Sequence, residues 1–425
     1  MEPIQTYGLT GLRIGCQQTR RGSDFVTCEL SGPGGRSASK DMPTTALARG
    51  RLDKLLHEVE RSWEFLDSTP AIRDLRTRKE PLWLDISTEH PLLPAVDWER
   101  ALSSLRVPVL RMPGILGAPT PSPRSPSVAL WVTMPVVKAA FDAIGLVEGT
   151  LKAIRETSDS GELPDVHVFS EARLVEHLLR HDFGSHVVVH RPKRKGPDEQ
   201  VPWSEWIAES LGDTSVDVLH LIGHGYLSAN CQGAFACAES PTRDFDRKTA
   251  SFVWPQQLAA LLTSIGAWGV VFTAVPHNYS VAGLRLLATR VASLRAAATG
   301  LHDVARLRSP NAGLSEIYQL LLNHPQQPPP STTGLALTMH PGRFGVPTRR
   351  ANYEPVRTEL ADLVNKGEDV PGWMVGAQRQ IAQWETHLSF RSDVAQVDSV
   401  RAGLELAKSR VDDIMRDNRN EGGPS

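Results

Sequence analysis

Two strongly apolar runs with one helix-like segment between them constrain the fold of this chain more than any other feature. The first, VDVLHLIGHG at residues 216–225, is typical of a strand buried on both faces of a sheet. The second, AWGVVFTAV at 267–275, follows a predicted helix at 254–265. Because a right-handed crossover through one helix joins parallel strands, we predict that residues 216–222 and 270–275 are neighbouring parallel strands. His224 and residues 274–276 would then lie at the same edge of that sheet.

The rest of the chain after residue 126 alternates between strand-like and helix-like patterns. Such alternation predicts an α/β fold, with a parallel or mixed sheet that carries helices on both faces. The predicted strands are 127–134, 165–170, 185–192 and a short one at 233–239, and the predicted helices are 147–157, 172–181, 204–211 and 280–304.

A smaller α+β region is predicted before this domain, in residues 1–112. Its predicted elements are a hairpin at 8–30, a Gly/Ser loop at 32–40, a helix at 52–66 that Pro70 stops, a short helix at 98–105, and strands at 81–86 and 107–112. Prolines in 113–126 resist both helix and sheet, so we place a linker there. The α/β domain then spans 127–324. Residues 325–425 are predicted to hold an irregular segment up to 350, two helices at 373–388 and 397–417, and a disordered tail.

The overall composition narrows the classes of function. Lysine and arginine number 46 against 48 aspartate and glutamate, so no excess of positive charge predicts binding to nucleic acid or to an anionic membrane. The 4 cysteines show no zinc-site spacing and no dense disulfide pattern, which is typical of a reducing cytoplasm. The sequence shows neither a signal peptide nor a run of about 18 apolar residues. We therefore expect a cytoplasmic protein without a metal or cofactor, and its oligomeric state is left open.

His224 is the strongest candidate for a functional side chain. It stands between Gly223 and Gly225 at the carboxyl end of a predicted buried strand, where open α/β sheets place their sites. The two glycines are expected to let the backbone turn sharply and to leave the imidazole uncovered. His220, in the middle of the same strand, is interpreted as a core histidine.

The run HLIGHG, then a helix, then VVFTAV resembles the layout of the caspase-like cysteine peptidases of clan CD, and most of all their bacterial CHAT branch. In that family one core strand ends in a His-Gly pair, and the next ends in a small residue followed by the nucleophilic cysteine. LLPAVDWERAL at 92–102 is similar to the acidic-Trp segment of CHAT proteins. The resemblance covers about residues 80–305. It implies a caspase-like sheet, an operon-encoded protein or peptide partner, and a role in bacterial defence or regulated proteolysis.

The resemblance assigns roles to particular residues of this sequence. It implies that His224 is the general base and that the backbone N–H of Gly225 helps to bind the oxyanion. The nucleophile is missing, because Val275 stands at the position of the family's cysteine. A shift of one residue would place Ala274 there instead. Neither side chain can attack a carbonyl, and the sequence does not distinguish a natural loss from an engineered one.

Other residues near these two strands are weaker candidates. Cys237 follows His224 too soon for the family's order of elements, and it is interpreted as a core residue. Cys231, in the loop after His224, and His277 and Asn278, after the second strand, are candidates for lining the same cleft. The alternative for each is an ordinary polar position at the end of a strand.

Three hypotheses for the function follow from the sequence. The first is a pseudopeptidase that binds a protein or peptide partner through the cleft that holds the substrate in active members of the family. The second is a cysteine endopeptidase whose nucleophile has been removed or lies elsewhere. The third is an α/β sensor that binds a small ligand or nucleotide at the carboxyl ends of the strands. The apolar stripes of the two predicted C-terminal helices are expected to pack on the core or on a partner.

Overall fold

A computed structural model of the chain describes most of the residues between 9 and 341. The described ranges are 9–18, 24–32, 35–44, 52–60, 63–88, 90–113, 126–135, 141–157, 163–192, 201–242, 250–276, 278–294, 298–322, 334–339 and residue 341. The predicted C-terminal helices and tail, most of the linker, and His277 lie outside the described residues.

The described strands form one 14-stranded mixed sheet. They are β1 (Gly11–Gln18), β2 (Asp24–Gly32), β3 (Gly35–Thr44), β4 (Leu82–Ile86), β5 (Val109–Arg111), β6 (Ser127–Val132), β7 (Asp165–Phe169), β8 (Val187–Val189), β9 (Val218–Leu227), β10 (Gly233–Cys237), β11 (Ser251–Val253), β12 (Gly269–Ala274), β13 (Ala298–Asp303) and β14 (Leu335–Met339). The order across the sheet is β3-β2-β1-β4-β5-β14-β13-β12-β9-β6-β7-β8, and β10 and β11 extend from the end of β9. From β8 to β13 all neighbouring strands are parallel.

Helices cover both faces of this sheet, as the alternating sequence pattern predicts. They are α1 (Leu52–Glu60), α2 (Glu64–Asp67), α3 (Pro70–Arg78), α4 (Trp98–Ala101), α5 (Ala143–Glu156), α6 (Ala172–Leu178), α7 (Trp203–Leu211), α8 (Pro255–Ser264), α9 (Asn278–Leu294) and α10 (Leu314–Leu322). Helices α5, α6 and α10 share one apolar core with the sheet, here called core A. Helices α7, α8 and α9 share a second core on the opposite face, here called core B. The predicted α/β fold class is therefore confirmed.

The side chains of β9 show why its sequence is apolar at almost every position. Val218 and Ile222 point into core A, whereas Leu219 and Leu221 point into core B. A strand covered by helices on both sides must bury both of its faces, so its sequence does not alternate between apolar and polar residues.

The N-terminal strands belong to the same sheet as the α/β region. Strands β1, β2 and β3 are antiparallel, and β4 and β5 follow β1 in parallel. Strand β14 connects these N-terminal strands to the strands of the α/β region, because it runs parallel to β5 and antiparallel to β13. The division of the chain into domains at 113–126 stays a prediction, but the sheet itself continues across it.

Several predictions of secondary structure are wrong, and three of them concern strands of the sheet. The helix predicted at 280–304 ends at Leu294, and Ala298–Asp303 is instead a fully buried strand, β13. The irregular segment predicted at 325–350 contains β14, and the loop predicted at 32–40 is largely strand β3. Tertiary pairing with β12, β5 and β2 overrides the weak local signals of these segments.

The predicted helix at 52–66 is also interrupted, and Pro70 begins a helix rather than stopping one. Thr69 caps α3, because its hydroxyl oxygen accepts a hydrogen bond of 3.4 Å from the backbone N–H of Ile72. Proline is well suited to the first turn of a helix, where its missing N–H costs nothing. Among the described residues, no helix is long and apolar enough to cross a membrane.

Candidate functional site

The carboxyl ends of β9 and β12 meet at one edge of the sheet. The two strands are adjacent and parallel, with Ala274 level with Gly223, as the sequence predicts. The backbone N–H of Val275 donates to the carbonyl oxygen of Gly223 at 3.5 Å. On the other side of β9 lies β6, and the strand order reverses between these two strands. This edge is therefore the topological switch point, where open α/β sheets bind their ligands.

The two candidate positions for a nucleophile lie on opposite faces of the sheet. Val275 is fully buried in core A, whereas Ala274 is fully buried in core B. His224 contacts Phe141, which packs against core A, with ring centroids 5.9 Å apart and an edge-to-face angle of 79°. His224 and Val275 thus share a face at adjacent positions of neighbouring strands, about 5 Å apart along the sheet. Ala274 points to the opposite face.

The two glycines beside His224 do not form the sharp turn that we predict from the sequence. Strand β9 continues in extended conformation to Leu227 and pairs with β10, so that His224 is level with Ala236. Gly223 is needed for close packing instead. A Cβ atom there would lie 3.0 Å from the backbone oxygen of Thr133 and 3.1 Å from the ring of Phe235. His224 itself is half-buried.

Neither cysteine near His224 is placed to act as a nucleophile with it. Cys237 is buried in core B, and burial, with a smaller contribution from Glu171, raises the pKa of its thiol. A thiol that stays protonated is a poor nucleophile. Cys231 lies in the turn after β9, with a left-handed φ of 56°, and it packs against the core of the N-terminal region. Asn278 begins α9, and only its backbone is described.

A buried carboxyl group, which the sequence does not single out, lies at the ends of β6 and β7. Glu171 accepts hydrogen bonds from the hydroxyl of Thr133 and, at 2.8 Å, from the backbone N–H of Met134. The hydroxyl of Ser170 can donate to its second oxygen, at 3.0 Å, or to the carbonyl oxygen of Val132, at 2.8 Å. Burial raises the pKa of Glu171, while the hydrogen bonds from Thr133, Met134 and Ser170 act in the opposite direction. Glu171 thereby fixes the strand ends beside Gly223.

A chain of hydrogen bonds crosses β9, β12 and β13 inside core A. His302 Nε2 donates to the carbonyl oxygen of Ala312 at 3.0 Å, so His302 Nδ1 accepts from the hydroxyl of Thr273 at 3.1 Å. Thr273 Oγ1 then accepts from His220 Nε2 at 2.8 Å, and His220 Nδ1 accepts from Tyr318 at 2.7 Å. Each group has one assigned role, and both imidazoles are neutral. The interpretation of His220 as a core histidine agrees with this placement.

Burial keeps His220 and His302, the two histidines of this hydrogen-bonded chain, uncharged. It lowers the pKa of His220 well below the ordinary value, with a smaller contribution from His302. It lowers the pKa of His302 to about 4, although the bond to Ala312 acts in the opposite direction. The hydrogen-bonded chain therefore holds three strands in register directly beneath the edge that carries His224, and it supplies no base for chemistry.

The segment that resembles the acidic-Trp motif is tied to α9 by a buried ion pair. Asp97 Oδ2 lies 3.0 Å from Arg285 Nη2, and both side chains are almost fully buried. Asp97 also accepts a hydrogen bond of 3.3 Å from the backbone N–H of Arg100, which caps α4. Asp303, at the end of β13, is near this pair, and burial raises its pKa while Arg285 acts in the opposite direction. This cluster lies on the core B side, away from His224.

The described residues can supply a base at this edge but no nucleophile facing it. Among them, no group of three or more histidine, cysteine, aspartate or glutamate side chains could hold a metal ion. This edge carries a half-buried imidazole, His224, and a fully buried valine, Val275, at the end of the neighbouring strand. Comparisons of the chain with protein-family models, with curated proteins and with solved structures found no match.

Proposed function

We propose that this chain is a caspase-like, CHAT-type pseudopeptidase that binds a protein or peptide segment at the carboxyl edge of β9 and β12 without cleaving it. We place it in a bacterial defence or regulated-proteolysis system. The observation that carries the proposal is that His224 and Val275 lie on one face at the ends of neighbouring strands, beside the switch point between β6 and β9.

The geometry supports Val275, rather than Ala274, as the position of the missing cysteine. Only residue 275 shares a sheet face with His224, and a base can take a proton only from a group that it can reach. A valine at this position cannot form an acyl intermediate. Members of such a catalytic unit act together, so loss of the nucleophile removes most of the rate enhancement.

The first test restores a thiol at each of the two positions. Val275→Cys and Ala274→Cys are a matched pair, since both positions are fully buried and adjacent in the chain. The rate of alkylation by iodoacetamide is measured across pH and assigned to each cysteine by peptide mapping. Beside His224, the pKa of the thiol at 275 should fall by about one unit, which raises its reactivity near neutral pH roughly tenfold.

The control is His224→Ala in each background. It should abolish the enhanced reactivity of Val275→Cys and leave Ala274→Cys unchanged. A thiol at 275 that reacts equally with and without His224, in protein shown to be folded, contradicts the proposed dyad position.

A second measurement addresses binding and cleavage. An excess of unstructured peptides from a casein digest should slow the alkylation of Val275→Cys but not that of Ala274→Cys. The chain as written should release no new fragments from the same peptides. Cleavage that disappears in His224→Ala would overturn the pseudopeptidase, and protection by nucleotides but not by peptides would favour an α/β sensor.

A further inference from the structure

Three aromatic side chains form a cluster on the hairpin strands that extend beyond the sheet edge. The ring centroids of Tyr226 and Phe252 are 4.2 Å apart, and Trp254 lies 6.2 Å from each. Tyr226 comes from β9, Phe252 from β11, and Trp254 directly follows β11. We call these three side chains the aromatic cluster. Rings this close stabilise one another and act as a single rigid surface.

The aromatic cluster lies on the same face of the hairpin as His224. In the register of the three strands, Tyr226 is level with Ala234, and both His224 and Phe252 are level with Ala236. Side chains two residues apart share a face, so these five residues point the same way. The two alanines are buried beneath the larger rings.

The other face of the hairpin is covered by α9. A Cβ atom on Gly233 would lie 2.0 Å from the backbone oxygen of Gly283, and a Cβ on Gly283 would lie 2.3 Å from that of Tyr226. Helix and hairpin are therefore in backbone contact there. On the opposite face, Tyr226 is 38% exposed, and Phe252 and Trp254 are partly exposed.

The hairpin also ends in a strand with an open edge. Within the described residues, β11 pairs with β10 alone, and its backbone makes no further hydrogen bond outside that ladder. Alternate N–H and C=O groups along Ser251–Val253 therefore face outward, as on any edge strand. An extended peptide is the ligand that satisfies such groups, because it can add a strand to the sheet.

We propose that the outer edge of β11 and the aromatic cluster together bind an extended, uncharged peptide segment of a partner protein, which seats an apolar or aromatic side chain on the rings. Added beside β11 at about 4.8 Å, the segment presents every second side chain to the face of the cluster. Residues 223–237 and 250–254 contain no lysine or arginine, whereas the connection between β10 and β11 carries both signs of charge, with Arg243, Arg247 and Lys248 beside Asp244 and Asp246. The open edge of β11 favours a peptide over a single-stranded nucleic acid, because only a peptide backbone can continue the ladder of hydrogen bonds.

The site goes beyond the proposed function, since it requires neither His224 nor Val275. Its outer edge, β11, lies two strands away from β9, at about 10 Å, so the segment docks beside the candidate cleft rather than in it.

The test uses the full chain and fluorescein-labelled peptides measured by anisotropy. The probes are eight-residue peptides that alternate threonine with phenylalanine, with leucine or with lysine, and an N-methylated copy of the phenylalanine peptide. The phenylalanine and leucine peptides should bind, the lysine peptide should bind at least tenfold more weakly, and the N-methylated copy should not bind. Phe252→Ala and Trp254→Ala should each weaken binding at least tenfold, as expected of buried aromatic anchors.

Leu179→Ala is the matched control, since Leu179 is an exposed apolar side chain on another surface. It should leave binding unchanged, as should His224→Ala, which separates this site from the proposed cleft. Phe252→Leu keeps apolar bulk without the ring and should weaken binding if Phe252→Ala does not fold.

Three results would overturn the proposal. The first is no binding of the phenylalanine and leucine peptides at millimolar concentration. The second is that the N-methylated copy binds as tightly as the phenylalanine peptide, or that the Phe252 and Trp254 variants bind the phenylalanine peptide as tightly as the unsubstituted chain does. The third is a concentration-dependent dimer, seen by sedimentation, that is lost in Trp254→Ala, because a second copy of the chain would then occupy the edge.

Discussion

The hydrogen-bonded chain through Thr273 makes a sharp prediction about stability. Thr273→Val keeps the shape of the side chain but removes the hydroxyl that joins His220 to His302. In Thr273→Val, the Nε2–H of His220 has no acceptor and the Nδ1 of His302 has no donor, because each then faces a methyl group. Leaving one buried polar group unsatisfied costs about 1–3 kcal/mol, so two such groups predict a loss of about 2–6 kcal/mol in the free energy of unfolding.

Thr150→Val is the matched control for this change. Thr150 and Thr273 are both 1% exposed, but the hydroxyl of Thr150 has no hydrogen-bond partner among the described residues. Removing an unpaired hydroxyl from a core costs nothing, so the free energy of unfolding should stay the same or rise by about 1 kcal/mol.

The assay is urea unfolding followed by circular dichroism at about pH 8, where both imidazoles are neutral in the folded state and almost wholly neutral in the unfolded state. Comparable losses in Thr273→Val and Thr150→Val would show that the valine shape, and not the hydrogen-bonded chain, decides the effect. A loss of less than about 1 kcal/mol in Thr273→Val would refute the assigned network.

Three further predictions concern pH and packing. Folding lowers the pKa of His220 and His302, so protonation of these two histidines favours the unfolded state. The free energy of unfolding should therefore be highest above about pH 6.5 and should fall as the pH drops toward 4, which the urea midpoint measured against pH would show. Because folding raises the pKa of Glu171, its contribution is favourable below about pH 4.3 and declines as pH rises; Glu171→Gln should remove that decline, and an unchanged profile would contradict the raised pKa. Gly283→Ala should lower the unfolding free energy by about 1–3 kcal/mol or more, because its Cβ would meet the backbone of Tyr226 at 2.3 Å; a melting temperature equal to that of the native chain would refute this close contact.

The strands that matter most for the site can be predicted from the sequence, and their neighbours cannot. Strands β9 and β12 are buried on both faces, so almost every residue is apolar and the pattern is unambiguous. Strand β13 follows an alanine-rich helix without a breaker, and its Ala298 and Gly300 carry no preference for a strand. Gly300 is there because a Cβ would lie 3.0 Å from Ile317, a contact that exists only after α10 has packed.

One part of the candidate site can likewise be predicted from the sequence, and another part cannot. The closeness of His224 to the end of β12 follows from adjacent parallel strands, and it can be predicted. The face that each side chain takes depends on a one-residue register, so only the structure separates Val275 from Ala274. The pairing of Tyr226 with Phe252 depends on how the hairpin folds back, and no local pattern announces it.

The position of β14 has a consequence for how the chain is made. This strand is the last one described, yet it lies inside the sheet, between β5 and β13. During translation, every other described strand leaves the ribosome before the strand that joins the two halves, and β5 and β13 keep open edges until then. Unpaired edges on a nascent chain invite pairing with other chains, so this protein is vulnerable to co-translational misassembly until residue 339 has emerged. A chain truncated after residue 324 lacks β14 and should hold two unjoined half-sheets, which limited proteolysis should separate.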